Sequence, residues 1–217
     1  MGPTLVRLRS GISDRSALYR SVEWALLAAL VLLVSGCHSI PPVDTKPLDS
    51  VGMSYDSIRQ LAALQITTSE VSQVAAARAS GLSDATCVAL FKIFRDHKQP
   101  FDAGEDAAGL FRAQVSEETI LELARLNQLG LSAGEFQAMR LAGLSDATVL
   151  AVARHRALNE PVLSGASLAG LKNVGVREST LLELARRGVP DSKASEITSL
   201  RRHGGSDAEI LGRFTGS

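Results

Sequence analysis

The hexapeptide Gly81-Leu82-Ser83-Asp84-Ala85-Thr86 recurs unchanged as Gly143-Leu144-Ser145-Asp146-Ala147-Thr148, 62 residues further along the chain. The segment from Pro100 to Arg125 also aligns without gaps on the segment from Pro161 to Arg186, with 13 identities in 26 positions. A third, incomplete copy of the motif, Gly204-Gly205-Ser206-Asp207, lies near the C-terminus. An internal period of about 61 residues is typical of stacked arrays, in which each unit buries its apolar face on its neighbours. The sequence therefore predicts a duplicated, tandem array.

Each copy of the motif has the composition of a sharp corner between two helices. Glycine closes the first helix in a left-handed conformation, serine caps the next helix, and the following acid suits the positive end of the helix dipole. The corner glycines are Gly81, Gly143, Gly175 and Gly204, the capping serines are Ser83, Ser116, Ser145 and Ser206, and the acids are Asp84, Glu117, Asp146 and Asp207. Gln114 stands at a glycine position and Arg177 at a serine position, so we expect weaker corners there.

Apolar residues between these corners are spaced as in short amphipathic helices. Helices this short are not stable alone in water and must bury their faces on neighbours. Apolar residues make up 45% of the chain but aromatic residues only 4%, which favours close-packed helices over a β-sandwich. We therefore predict an all-α fold of tandem short helix pairs, solenoid-like or compact, with helices over 56–64, 68–79, 83–97, 103–113, 116–127, 133–141, 145–158, 164–173, 177–187, 191–203 and 206–213.

The N-terminal segment has the pattern of an export signal. Basic residues precede the apolar run 24–34, which is about half the ~20 residues that a membrane-spanning helix needs. The junction Val34-Ser35-Gly36-Cys37 resembles the lipobox of bacterial lipoproteins. The resemblance implies a signal peptide over 1–36, cleavage between Gly36 and Cys37, and a lipid on Cys37 that anchors the chain to a membrane of the cell envelope. His38 stands where aspartate would favour the inner membrane, so we expect the outer membrane, facing the periplasm.

The remainder divides into a tether and a helical domain. Residues 37–53 contain Pro41, Pro42 and Pro47 and no helical period, so we expect a proline-rich tether there and a helical repeat domain over 54–217. Across most of residues 65–213 the turn pattern is similar to the Gly-Val-Ser-Asp/Glu-x-x-Ile/Val helix-pair repeats of bacterial envelope proteins that have no assigned activity. That resemblance implies the architecture and no catalytic activity.

No residue cluster has the spacing of a catalytic or metal site. Cys87 falls at an apolar position beside a corner, which predicts a small buried side chain and not a reactive thiol. His97, His155 and His203 fall near the ends of predicted helices, where a cation is favoured. The chain contains no nucleophile elbow, phosphate loop or paired-carboxylate motif. We expect no catalytic residue, metal or cofactor.

Two further patterns concern charge. Glu122 and Glu183 precede Arg125 and Arg186 by three residues, which predicts ordinary helix-surface pairs or a repeated binding face. The whole chain carries 23 basic and 23 acidic residues, of which residues 1–36 hold four and two. This leaves 19 basic and 21 acidic residues, a formal charge of −2, which gives no electrostatic reason to expect tight binding to a phosphate backbone.

The segment 168–179 partly resembles the helix-hairpin-helix of DNA-binding proteins. That hairpin needs two glycines around one apolar residue, so that backbone N–H groups can approach a phosphate. Gly175 supplies the first glycine, but Arg177 stands at the second position, and serine stands there in the other copies. Nucleic-acid binding is therefore an alternative that the residues do not favour.

The sequence supports a function by architecture alone. Curved helical arrays offer extended surfaces, so we expect a non-enzymatic envelope lipoprotein that acts as a protein-interaction or scaffolding module for an unidentified partner. The alternatives are an exported nucleic-acid-binding protein with degenerate helix-hairpin-helix motifs and a small envelope hydrolase with an unrecognised site.

Overall fold

The computed structural model describes residues 43–215, and this part of the chain contains twelve α-helices, one 3-10 turn at Asp191–Lys193 and no strand. The predicted all-α class is confirmed. The helices are α1 Lys46–Ser50, α2 Tyr55–Ala63, α3 Thr68–Ala79, α4 Asp84–Asp96, α5 Gly104–Arg112, α6 Glu117–Arg125, α7 Leu129–Leu141, α8 Asp146–Ala157, α9 Gly165–Asn173, α10 Glu178–Arg186, α11 Ala194–Arg202 and α12 Asp207–Phe214.

The helices form an array of two layers. Each odd-numbered helix packs on the next odd-numbered helix, each even-numbered helix packs on the next even-numbered one, and consecutive helices join the two layers. Contacts therefore run between near neighbours in chain order, as expected for helices too short to be stable alone. Between the layers lies one continuous core built mainly from leucine, alanine, valine and isoleucine. Phe91, Phe94 and Phe101 add an edge-to-face aromatic cluster at the α4–α5 end of it.

Each even-numbered helix begins at a sharp corner. The residues that precede these helices are Ser54, Ser83, Ser116, Ser145, Arg177 and Ser206, and all five serine hydroxyls accept the backbone N–H three residues later. The arginine makes no such bond. The corner glycines Gly81, Gly143, Gly175 and Gly204 have φ of +106°, +78°, +90° and +89°, the left-handed region that glycine adopts at little cost. Gly52, before Ser54, has φ +74°, and Gln114, before Ser116, takes φ +63° as a non-glycine residue.

Two sequence-based expectations are wrong. The expected tether does not extend to residue 53, because α1 forms at Lys46–Ser50 and buries Leu48 completely in the core. Pro47 is compatible with this helix because it lies in the first turn, where its missing N–H needs no partner. Helix α7 begins at Leu129 and not at residue 133, since its preceding residue, Gln128, makes no capping bond that would mark the start.

No helix within residues 43–215 combines the length and the apolar character that a bilayer crossing requires. The predicted signal peptide, the cleavage site after Gly36 and the lipidated Cys37 lie outside the described residues.

Candidate interaction surface

A chain of hydrogen bonds joins the N-terminal ends of the even-numbered helices. The acid at the first position of an even-numbered helix accepts a hydrogen bond from a backbone N–H. The donor is the capping residue of the preceding even-numbered helix. We call this set of bonds the corner ladder. Its rungs are Ser54 to Asp84 at 2.7 Å, Ser83 to Glu117 at 3.0 Å, Ser116 to Asp146 at 3.0 Å, Ser145 to Glu178 at 2.8 Å and Arg177 to Asp207 at 3.3 Å. Each acid therefore serves its own helix dipole and also satisfies an N–H of the neighbouring helix.

Basic side chains from the odd-numbered helices complete the corners. Arg140 donates from Nη1 to the Leu144 carbonyl at 2.6 Å and from Nη2 to the Gln114 carbonyl at 2.8 Å, and its Nε lies 3.1 Å from Asp146. Arg201 bonds the carbonyls of Gly205 and Gly175 in the same way. These contacts satisfy carbonyl groups that a helix terminus leaves without an intrahelical partner.

Three acids of the corner ladder, Asp84, Glu117 and Glu178, have pKa values below their usual ones, which favours their ionised form. Burial raises the pKa of Glu117, but hydrogen bonds from Ser83 and Thr86 outweigh burial, so its pKa lies below the usual value. The same balance lowers the pKa of Asp84 and of Glu178. The capping serines and the acids after them therefore hold the array together.

The outer face of the even layer carries a different arrangement. Counting from each capping residue, the fifth residue of five successive helices is aliphatic and partly buried: Val88, Leu121, Leu150, Leu182 and Leu211. We call these five residues the aliphatic row. In the first four of these helices the ninth residue is basic and lies one helical turn further on the same side. These residues are Lys92, Arg125, Arg154 and Arg186, which we call the basic row. We call the surface that carries both rows the even-layer face.

A groove of about 300 Å³ lies on this face between α8 and α10. It is lined by Ala147, Leu150 and Ala151 and by the polar side chains of Arg154, His155 and Arg186. Nε2 of His155 lies 3.1 Å from the Arg186 carbonyl, and its Nδ1 lies 2.8 Å from the carboxylate of Glu160. His155 therefore joins α8 to the end of α10.

A second cavity, of about 430 Å³, lies beside the loop that precedes α5. Asp102 and Asp106 line it together with Phe94 and Leu131, among other residues. Burial raises the pKa of Asp106, and the neighbouring acids Asp102 and Glu105 raise it further. Within residues 43–215, no three side chains of histidine, cysteine, aspartate or glutamate lie together as metal ligands would.

The residues singled out in the sequence are dispersed over the array. Cys87 is completely buried, and burial raises the pKa of its thiol to about 12, so it stays protonated at neutral pH. Of the histidines, His203 bonds the Ser199 carbonyl within its own helix, and His97 ends α4 at the surface. Together with His155 they form no cluster.

The two expected Glu-x-x-Arg pairs differ. Glu122 and Arg125 form the predicted ion pair at 3.3 Å. The predicted pair of Glu183 and Arg186 is wrong, because Glu183 bonds Arg187, one turn further along the helix, at 2.8 Å. Residue separations of three and four both place side chains side by side on a helix, so spacing alone does not decide between the two arginines.

The hairpin-like segment around Gly175 is occupied by groups of the chain itself. The N–H of Arg177, which would face a phosphate in a helix-hairpin-helix, donates to the Asp207 carboxylate. The guanidinium of Arg201 donates to the Gly175 carbonyl at 2.5 Å. An acidic group therefore stands where that motif would hold a phosphate.

Comparisons with protein-family models, with curated proteins and with solved structures give no significant match. Sequence reasoning missed both the aliphatic row and the groove, although counting five and nine residues from each capping position would have revealed the two rows.

Proposed function

We propose that this chain is a non-enzymatic lipoprotein of the cell envelope whose even-layer face binds a protein partner. The observation that carries the proposal is the pair of parallel rows on that face, since five aliphatic side chains lie at equivalent positions beside four basic ones. The polar groups of the corner ladder, by contrast, are engaged in hydrogen bonds that hold the array together. The side chains of the two rows take no part in that ladder, so the even-layer face remains available to a partner.

The size of the face suits a protein. Packed helices lie about 8–10 Å apart, so the four steps from Val88 to Leu211 span roughly 35 Å. An extended segment of about ten residues or a helix of about six turns would cover that length. A row of partly buried aliphatic residues with charged residues along one side has the composition of an interface with an apolar centre and a polar rim.

Anchoring would hold this face close to a membrane. The lipobox Val34–Cys37 is the sequence feature that supports it, and several acyl chains, at about 0.8 kcal/mol per buried CH₂, give durable attachment. Cys37→Ala should abolish fatty-acid labelling and release the protein from the membrane fraction, whereas Cys87→Ala should leave both unchanged. Continued labelling of the Cys37→Ala variant would contradict the anchor.

The interaction itself is tested by cross-linking in cells. The tagged full-length chain is cross-linked, purified and analysed by mass spectrometry, and the experiment is repeated with Leu182→Glu, which places a charge in the aliphatic row. Ala138→Glu, at an exposed position on the opposite layer, is the matched control. We expect one reproducible protein partner that is lost with Leu182→Glu and kept with Ala138→Glu. A partner that survives Leu182→Glu would move the function away from this face.

A further inference from the structure

The basic row offers carboxylate sites that the chain itself fills in one groove and leaves open in the next. Arg125, Arg154 and Arg186 each lie nine residues after a capping residue, on α6, α8 and α10. Neighbouring arginines of the row therefore lie at the same level on adjacent helices. The residue six positions after the cap, one turn earlier on the same side, decides whether a carboxylate of the chain lies between them.

Between α6 and α8 that residue is Glu122, and its carboxylate lies between the two arginines. One oxygen is 3.3 Å from Nη1 of Arg125, and the other is 3.8 Å from Nη2 of Arg154. A carboxylate held between two guanidinium groups is the arrangement that arginine favours, because its planar fork presents several donors to one acceptor group. The α6–α8 groove therefore shows which ligand this pair of positions holds.

Between α8 and α10 the same arrangement lacks its acid. The position equivalent to Glu122 is Ala151, which lines the groove. On α10 the equivalent residue is Glu183, and it bonds Arg187. Arg186 forms no ion pair with any acid of residues 43–215, and its side chain is exposed. Arg154 is 60% exposed, and its five donors can serve a second carboxylate beside Glu122.

We propose that the groove between α8 and α10 binds an acidic segment of the partner protein, whose carboxylate takes the place that Glu122 fills one groove earlier. Arg154 and Arg186 pair with this carboxylate, and Leu150 contacts an aliphatic side chain next to it. This inference rests on the proposed function and names the chemistry of the partner. A volume of about 300 Å³ accommodates one or two side chains of a longer segment and lies at the lower end of the range for whole small-molecule ligands.

A protein segment fits the groove better than a nucleic acid does. Half of its lining is apolar, from Ala147, Leu150 and Ala151, which suits an aliphatic side chain and offers nothing to a phosphate. The chain beyond residue 36 also carries two more acids than bases, so it lacks the excess of positive charge that binding along a phosphate backbone requires.

Photo-cross-linking tests the occupant directly. A photoreactive amino acid is placed at Ala147, an exposed residue that lines the groove, in the full-length chain in its native cells. A second chain carries it at Ala138 on the opposite layer as the matched control. The cross-linked segment is identified by mass spectrometry. We expect capture at Ala147 of a segment that contains aspartate, glutamate or a terminal carboxylate beside an aliphatic residue, and no capture of this segment at Ala138.

Substitutions in the groove then test the role of the arginines. Arg186→Glu reverses an exposed charge, and Ala151→Glu supplies the acid that α6 already has. Both should abolish the capture, whereas Arg202→Glu, which reverses an exposed charge at the C-terminal end of α11 on the opposite layer, should leave it intact. With a fluorescent peptide of the captured segment, Arg186→Glu should weaken binding by about tenfold or more. Replacing the peptide's acid by lysine should restore binding to the Arg186→Glu variant. Circular dichroism identifies a variant that fails to fold. If Ala151→Glu fails to fold, Arg186→Glu alone tests the inference.

The outcomes separate the inference from the proposed function. A captured segment without an acid, or capture that Arg186→Glu does not affect, would overturn the inference and leave a protein-binding face in place. Capture at Ala138 alone would overturn both, because the partner would then bind the opposite layer. If neither position reproducibly captures a protein, both the inference and the proposed function would be overturned.

Discussion

Replacing Glu117 by alanine tests the corner ladder at its most heavily bonded rung. Its carboxylate accepts the Ser83 N–H at 3.0 Å, the Ser83 hydroxyl at 2.5 Å and the hydroxyl of Thr86, a residue that is 5% exposed. Hydrogen bonds to a charged group contribute about 1.5–3 kcal/mol each, but the three share one carboxylate and their loss is not additive. We therefore expect the free energy of unfolding to fall by about 2–4 kcal/mol. The melting temperature should fall by roughly 5–15 °C, at about 2–4 °C per kcal/mol for a domain of this size.

Thermal unfolding of the purified protein, followed by circular dichroism, measures the change, and Glu118→Ala is the matched control. Glu118 is the next residue of the same helical turn, but it is exposed and accepts no bond from another helix, so its loss should change stability by less than about 0.5 kcal/mol. Hydrogen exchange adds a local readout, because the Ser83 amide should exchange faster only in the Glu117 variant. Equal losses for the two variants would show that the helix dipole, and not the ladder, accounts for the acids.

Two further predictions concern packing and pH. Gly104→Ala should lower the free energy of unfolding by about 1–3 kcal/mol in denaturant, since an added Cβ would lie 2.0 Å from the Gln73 carbonyl oxygen. Gly170→Ala is the control: its Cβ would have nothing within 4 Å, so it should be neutral or stabilise by up to about 1 kcal/mol. Folding lowers the pKa of Glu117 and Glu178, so their stabilisation is complete above the usual value of 4.5 and is lost as pH falls through the folded values. The unfolding midpoint should stay level from pH 7 to about pH 5 and then drop; a midpoint that stays level down to pH 3 would contradict this.

The corners could be predicted from the sequence because capping is local. A glycine that ends one helix and a serine that starts the next act within a few residues, so the positions of Ser83 and Ser145 were visible in a six-residue motif. The second role of the acids was not visible. The carboxylate that binds the Ser83 N–H belongs to Glu117, 34 residues away, and only the stacking of one even-numbered helix on the next brings them together.

Helices that begin without a local sequence signal were not predicted correctly. Gln128 precedes α7 without a capping bond, so the pattern delayed that helix to residue 133. Three prolines before residue 48 favoured a tether, yet Pro47 lies in the first turn of α1, and the burial of Leu48 stabilises this five-residue helix. This short helix is stabilised by packing on α3, which cannot be predicted from the helix propensity of its own residues.

The binding groove could be predicted only in part for the same reason. The recurrence of arginine nine residues after the residues that cap α6, α8 and α10 is a property of the sequence, but its meaning depends on which acid each arginine meets. Glu122 meets arginines on two helices, while Glu183 turns to Arg187, and both follow from contacts between and along helices that equal spacing does not distinguish. The difference between a filled and an open site therefore required the structure.

The two ends of the even-numbered helices differ in whether their charged side chains are paired within the array. At the N-terminal ends each acid of the ladder is committed to an N–H of the neighbouring helix, so its removal should cost stability. At the C-terminal ends the three arginines of the basic row lie in the last turn, where the negative end of the helix dipole favours a cation even without a partner acid. Arg186 can therefore remain exposed and charged at little cost to the fold, and Arg186→Glu should affect binding while lowering the melting temperature by no more than about 4 °C. Glu117 should show the reverse, and finding both effects in the same residue would refute this division of roles.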